Sequence, residues 1–154
     1  MTYIGTAKDT GCFMCDICKS RDDEAHLVIK RGKKCVLVMN RYPYNGGHLM
    51  VAPKRHVATL KDMNSAEQLE MMQMTAEATE LLRKVSRPDG CNIGVNLGEA
   101  AGAGLKDHIH MHIVPRWSGD TNFMPVFADI KIIPQALEEL GDLLRKAAKK
   151  TRGT

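Results

Sequence analysis

No stretch of this chain approaches the ~20 consecutive apolar residues that a membrane-spanning helix needs, so no such helix is expected. The opening MTYIGTAKDTG offers neither a basic leader nor an apolar signal core, and the expected location is the cytoplasm. Internal repeats, low-complexity tracts and Pro/Gly/Ser linkers are also missing, so the 154 residues read as a single domain, 1–154. That length buries about two-thirds of the surface the unfolded chain exposes. A strong charge of one sign is lacking as well. The formal charge of +4, from 22 basic and 18 acidic residues, argues against a nucleic-acid partner. The basic run RKAAKKTR at 145–152 reads as a helix end leading into a solvated or disordered tail at about 150–154. Nor do the cysteines come in an even number. Five thiols without a secretory signal argue for reduced cysteines or a metal site over a disulfide framework.

What is present is a succession of short aliphatic segments. Residues 27–29, 35–39 (CVLVM) and 48–52 (HLMVA) are rich in aliphatic and β-branched side chains. Gly32 marks the first gap and Pro43 with Asn45-Gly46-Gly47 the second, so antiparallel strands are predicted. Over 64–85 the pattern becomes helical. Ser65 followed by Gln68 suggests a capping box, and Leu69, Met72, Ala76 and Leu82 recur near helical spacing. Met71, Met72 and Met74 read as gap-fillers of a core. After Pro88-Asp89-Gly90 two more strands are expected at 92–97 and 108–114, joined by the small-residue loop GEAAGAG at 98–104. A second helix is expected over about 135–149, with Leu137, Leu140, Leu144 and Ala147 on one face. The predicted fold class is α+β, an antiparallel sheet carrying one long central helix and a C-terminal helix on one side.

The sequence HIHMHIV alternates His108, His110 and His112 with Ile109, Met111 and Ile113. Alternate side chains of a strand point to opposite faces, so the three imidazoles share one face while the aliphatic set enters the core. Half of the chain's six histidines fall in this five-residue stretch, which marks a candidate site. A neutral imidazole is nucleophilic near pH 7. Upstream, Cys12, Cys15 and Cys18 crowd into a knuckle at about 10–20, where a Cys-x-x-Cys pair has the spacing for tetrahedral zinc but needs two more ligands.

In these features the chain resembles the histidine-triad (HIT) family. The resemblance runs through the triad itself, NRYPYNGGHLMVAPKRH at 40–56, NIGVNLGEAAGAG at 92–104 and PRWSGDTNFMPV at 115–126. The segment around Trp117 is most similar to the diadenosine tetraphosphate phosphorylase-like branch. The resemblance implies a HIT-like fold with an N-terminal zinc knuckle, and nucleotidyl transfer through a covalent nucleotidyl-histidine intermediate. It implies that His110 is the nucleophile and His112 a phosphate-contacting or orienting partner. It further implies that Asn96 and the backbone at Gly104 and Leu105 contact phosphate and that Asn40 contacts ribose. Trp117, the only tryptophan, is either a core or interface aromatic or a contact to a second nucleotide moiety. Where the commoner family pattern has a glutamine and a hydroxyl residue after the loop glycine, this chain has Gly104-Leu105, which removes two side-chain donors.

By the same resemblance His56, in APKRH, and His108 join Cys12 and Cys15 in a structural Cys₂His₂ zinc site, with Cys15 and Cys18 as an alternative pair at the same spacing. Such an ion would fix the triad strand beside its nucleophile. The substrate class implied is a dinucleoside polyphosphate or related nucleotide, with phosphate as second acceptor. The alternatives are a hydrolase or phosphoramidase releasing AMP, or a nucleotide-binding module without turnover. Family members are commonly homodimers, and a homodimer is expected here.

Overall fold

A computed structural model describes residues 11–101, 107–120 and 136–150. Gly104, Leu105, the end of the small-residue loop, Gln135 and the tail past 150 lie outside the described residues. In chain order the elements are α1 (Phe13–Lys19), β1 (Val28–Arg31), β2 (Cys35–Met39), β3 (Leu49–Pro53), α2 (Ser65–Val85), β4 (Gly90–Val95), β5 (Met111–Arg116) and α3 (Leu137–Lys150). The five strands form one antiparallel sheet in the order β1-β2-β3-β5-β4.

Strands β2 and β3 are buried at every position, which explains their unbroken apolar runs. Alternation divides them between two cores. Cys35, Leu37, Met39, Leu49 and Val51 pack with α2 and α3, whereas Val36, Val38, Met50 and Ala52 pack with Met14 and Ile17 of α1. The two predicted helices share one face of the sheet, and a helix that the sequence did not predict lies on the other. The cysteine knuckle folds into a two-turn helix that covers the opposite face, because Met14 and Ile17 are one turn apart and each gains about 1.5–3 kcal/mol by burial.

Helix α2 begins one residue earlier in its capping pattern than expected. Asn64, not Ser65, is the N-cap: its side chain accepts from the Glu67 backbone N–H at 3.0 Å, and the Glu67 carboxylate accepts from the Asn64 N–H at 2.9 Å. The buried face is rotated accordingly to Met71, Met74, Ala78, Leu81 and Leu82, while Leu69 and Met72 are 60% and 57% exposed. Only two of the three clustered methionines thus fill the core. In α3, Leu140, Gly141, Leu144 and Ala148 are buried.

Gly47 adopts φ +83, a left-handed conformation that favours glycine, and a Cβ there would lie 3.2 Å from Leu82 and 3.3 Å from Pro115. This turn delivers His48 to the head of β3. The sheet partner of β3 is β5, with Leu49, Met50 and Val51 opposite Ile113, His112 and Met111. On its other side β5 runs along β4, where His112 faces Gly94.

Candidate active site and metal centre

The alternation read from HIHMHIV is present, with one change. Ile109, Met111 and Ile113 lie in the α2/α3 core, and His108, His110 and His112 are buried among other groups, at 0%, 7% and 8% exposure. Yet the paired strand begins only at Met111, so His108 and His110 sit in the segment entering it. The ladder cannot continue past β3 because Pro53 has no N–H to give. Its carbonyl instead accepts from His108 Nε2 at 2.7 Å, and the Ile109 N–H donates to the Val57 carbonyl at 2.7 Å.

These contacts fix the neutral tautomers of His48, His108, His110 and His112. A carbonyl only accepts, so the His108 ring donates from Nε2 to Pro53, and the His110 ring donates from Nδ1 to the His108 carbonyl at 2.9 Å. His108 Nδ1 and His110 Nε2 are thereby left as lone pairs. A backbone N–H only donates, so His48 Nδ1 accepts from the Tyr44 N–H at 3.0 Å. His48 must then donate from Nε2 to His112 Nδ1 at 2.9 Å, which leaves the His112 proton on Nε2. His110 and His112 stand edge to face with ring centroids 4.7 Å apart, an acceptor beside a donor. Burial, with a contribution from His110, pushes His112 down to about 4, so its ring is neutral at pH 7.

The lone pair of His108 meets the knuckle. His108 Nδ1 lies 3.2 Å from Cys12 Sγ and 3.6 Å from Cys15 Sγ, and His56 Nδ1 lies 3.3 Å from Cys15 Sγ. The four donor atoms of Cys12, Cys15, His56 and His108 all fall within 4.8 Å of one another, a Cys₂His₂ set that can hold a metal ion. Burial lowers the pKa of His108, keeping it a neutral ligand. Cys18, one turn on from Cys15, packs against the second core and is not one of the four. All five cysteines are free thiols, and burial raises the Cys35 thiol to about 12. His56 is positioned by its neighbour. Arg55 pairs with the buried Glu67 through two bonds of 3.0 and 2.8 Å and also donates to the Asp62 carbonyl at 2.7 Å.

Of the other predicted residues, Asn40 spends its amide on the Tyr42 N–H at 3.0 Å and on His48 Nδ1 at 3.3 Å, so it joins the histidine chain from below. Asn96 directly follows β4, whose last residue, Val95, is the register partner of Met111. Trp117 lies past the other end of β5, about 23 Å from His110 at strand rise. Its indole N–H donates to the Arg87 carbonyl at 3.2 Å, within a knot in which Asp120 binds Arg116, Asn45 and the Trp117 N–H.

Two parts of the site were not foreseen. His48 is 1% exposed and is the second histidine of a buried pair; the only trace in the sequence is a polar residue heading the apolar run HLMVA. The second is a cavity of about 360 Å³ on the α1 face of the sheet, lined by Phe13, Asp16, Ile17, Asn40, Arg41 and Met50 among others. Met50 is the register partner of His112, so this cavity adjoins the histidine row.

Over 122 residues the chain is 48% identical to an AP-4-A phosphorylase of Mycobacterium tuberculosis, an alignment covering 79% of this chain and 63% of that protein. The chain thus spans less than two-thirds of that relative's length. It is 31% identical over 119 residues to an uncharacterised HIT-like protein of Methanocaldococcus jannaschii, covering 77% of this chain and 90% of the other. Its fold is similar to a Zn-bound histidine triad family protein from Mycobacterium smegmatis, with TM-score 0.74 and 27% identity over 94% of this chain and 97% of that one. Residues 21–119 match the HIT domain, and the chain belongs to the HIT family.

Proposed function

We propose that this chain is a nucleotidyl transferase that cleaves dinucleoside polyphosphates, with His110 as nucleophile and inorganic phosphate as the second acceptor. The observation that carries the reading is the proton arrangement: His110 is held through Nδ1 on the His108 carbonyl and so presents an Nε2 lone pair beside the Nε2–H of His112. A nucleophile and a charge-stabilising donor side by side are what in-line attack at phosphorus requires.

In the first step His110 Nε2 attacks the α-phosphorus, the bond to the bridging oxygen breaks, and the rest of the polyphosphate leaves as an anion. The positive charge that develops on His110 is stabilised through Nδ1–H by the His108 carbonyl. His112, neutral at pH 7, acts as a hydrogen-bond donor to a nonbridging oxygen and not as a proton source. In the second step phosphate attacks the same phosphorus, a nucleoside diphosphate leaves and His110 is regenerated. Asn96 and the backbone at Gly104 and Leu105 complete the phosphate contacts in this reading. The cavity beside Met50, with Asn40 on its wall, takes the nucleoside. Trp117 is held by Arg87 and serves the packing around the end of β5.

Cys12, Cys15, His56 and His108 would hold a zinc ion. The donor set suits it: two thiols, a His108 nitrogen freed by Pro53, and four ligand atoms already gathered. Bound there, zinc supplies structural rigidity, tying α1 to the entrance of β5. The 48% identity to an AP-4-A phosphorylase supports phosphorolysis over hydrolysis. The exposed Leu69 and Met72 of α2 and Ile93 of edge strand β4 support a homodimer, and five free thiols support the reducing cytoplasm.

The test is to incubate the protein with diadenosine tetraphosphate and phosphate. ADP formation supports the reading, while AMP as the product at every phosphate concentration makes the protein a hydrolase. Mass spectrometry of protein quenched early should find an adenylyl adduct on His110.

A further inference from the structure

Helix α1 serves two sites at once. It has only seven residues, too few to be stable alone. Three side-chain groups project from its two turns. Cys15, with Cys12 at the N-cap, turns to His56 and His108. Met14 and Ile17 turn to the sheet, where they meet Val36, Val38 and Met50. Phe13, Asp16 and Ile17, at i, i+3 and i+4, form one wall of the cavity beside His112.

The anchors of the helix are correspondingly few. At its C-terminal end Arg31 donates to the Ile17 carbonyl at 2.9 Å and the Cys18 carbonyl at 3.4 Å, and its middle rests on Met14 and Ile17. At its N-terminal end the N-cap is Cys12, which makes no side-chain cap bond. In the first turn, which carries Phe13 and Asp16, Met14 is wholly buried against the sheet and the cysteine ligands add the second hold. Phe13 is 45% exposed, so no core packing holds it in place.

We infer that metal binding at Cys12, Cys15, His56 and His108 positions the Phe13 and Asp16 wall of the cavity, so that metal occupancy sets the affinity for the nucleoside part of the substrate. This rests on the reading of that cavity as the nucleoside seat. Phe13 offers a ring face to the base and Asp16 an acceptor to a base amino group or ribose hydroxyl. In the phosphate-binding half His112 is held by His48, which is not one of the four donors, while His110 rests on the carbonyl of His108. Affinity scales with the fraction of molecules whose wall is formed, so a wall formed a tenth of the time weakens binding about tenfold.

The experiment is calorimetric titration of AMP into zinc-loaded and chelator-treated protein, each with wild-type sequence and with Phe13→Ala. In loaded protein Phe13→Ala should weaken AMP about tenfold, the size of a lost base–aromatic contact. Chelation should weaken AMP about tenfold in wild type, and in the chelated protein Phe13→Ala should change affinity less than about twofold. Unchanged AMP affinity on chelation, or an equal effect of Phe13→Ala in both forms, overturns the inference. No effect of Phe13→Ala in the loaded protein instead overturns the nucleoside reading of the cavity. If chelation removes the far-UV signal of the fold, linkage decides: AMP should tighten zinc against a competing chelator about tenfold, and an unchanged zinc affinity overturns the inference.

Discussion

Replacing His48 by leucine separates the roles of His112 from the stability of the sheet. Leucine keeps the volume of a residue that is 1% exposed, so little cavity is made. It removes the acceptor of the Tyr44 N–H and the donor to His112 Nδ1, bonds of 3.0 and 2.9 Å. Each buried group left without a partner costs about 1–3 kcal/mol, so the fold should lose about 2–6 kcal/mol. The same 1–3 kcal/mol at His112, expressed on the barrier, is about a five- to 150-fold fall in kcat. Glutamine at the same position carries an amide N–H₂ that reaches to where Nε2 stood, restoring the donor but not the acceptor. His48→Gln should therefore recover most of kcat while still melting lower than wild type. The assay is steady-state phosphorolysis of diadenosine tetraphosphate beside a thermal melt. A leucine variant that turns over at the wild-type rate, or a glutamine variant no faster than leucine, would show that His48 does not orient His112.

Three other perturbations test separate parts of the site. His110→Ala should abolish turnover and the adenylyl adduct while leaving AMP affinity within about threefold, as read by calorimetry. His112 is held down to about 4 in the fold, so the unfolded chain takes its proton first as pH falls. Stability is complete above about pH 6.5, drops by about 2 kcal/mol at pH 5 and is lost further down to about pH 4. Urea midpoints should show this loss, and His112→Asn should shrink it. Gly94 faces His112 across the β4–β5 ladder, and a Cβ added there meets nothing within 4 Å among the described residues. Gly94→Val should thus leave the melting temperature unchanged or raised, yet weaken AMP about tenfold if substrate lies over β4. Undiminished binding would place the nucleotide elsewhere.

The triad announced itself because a period of two is written directly in the chain: His108, His110 and His112 chemistry-side, Ile109, Met111 and Ile113 core-side. The four gathered donors were legible through spacing and resemblance together, since Cys12 and Cys15 are near neighbours in sequence but His56 and His108 are not. What escaped was whatever depends on a long-range partner. His48 gains its meaning only when β3 pairs with β5, and the cavity is assembled from α1, β2, β3 and the turn after β2. The knuckle was too short for helical periodicity to reveal α1. The capping box slipped by one residue because Asn64 and Ser65 are both good N-caps, and packing of Met71 and Met74 decided between them.

Glu67 closes the first turn of α2 and also grips Arg55, the residue before His56. The carboxylate that begins the long helix is therefore also the moorings of a donor atom some way off in the chain. Helix ends open before helix middles, and here an opening at the start of α2 would slacken the Arg55–His56 turn without disturbing any strand. On warming, protein loaded with metal at that donor set should release it while the sheet still stands, so that loss of the ion begins at a helix end and not in the core.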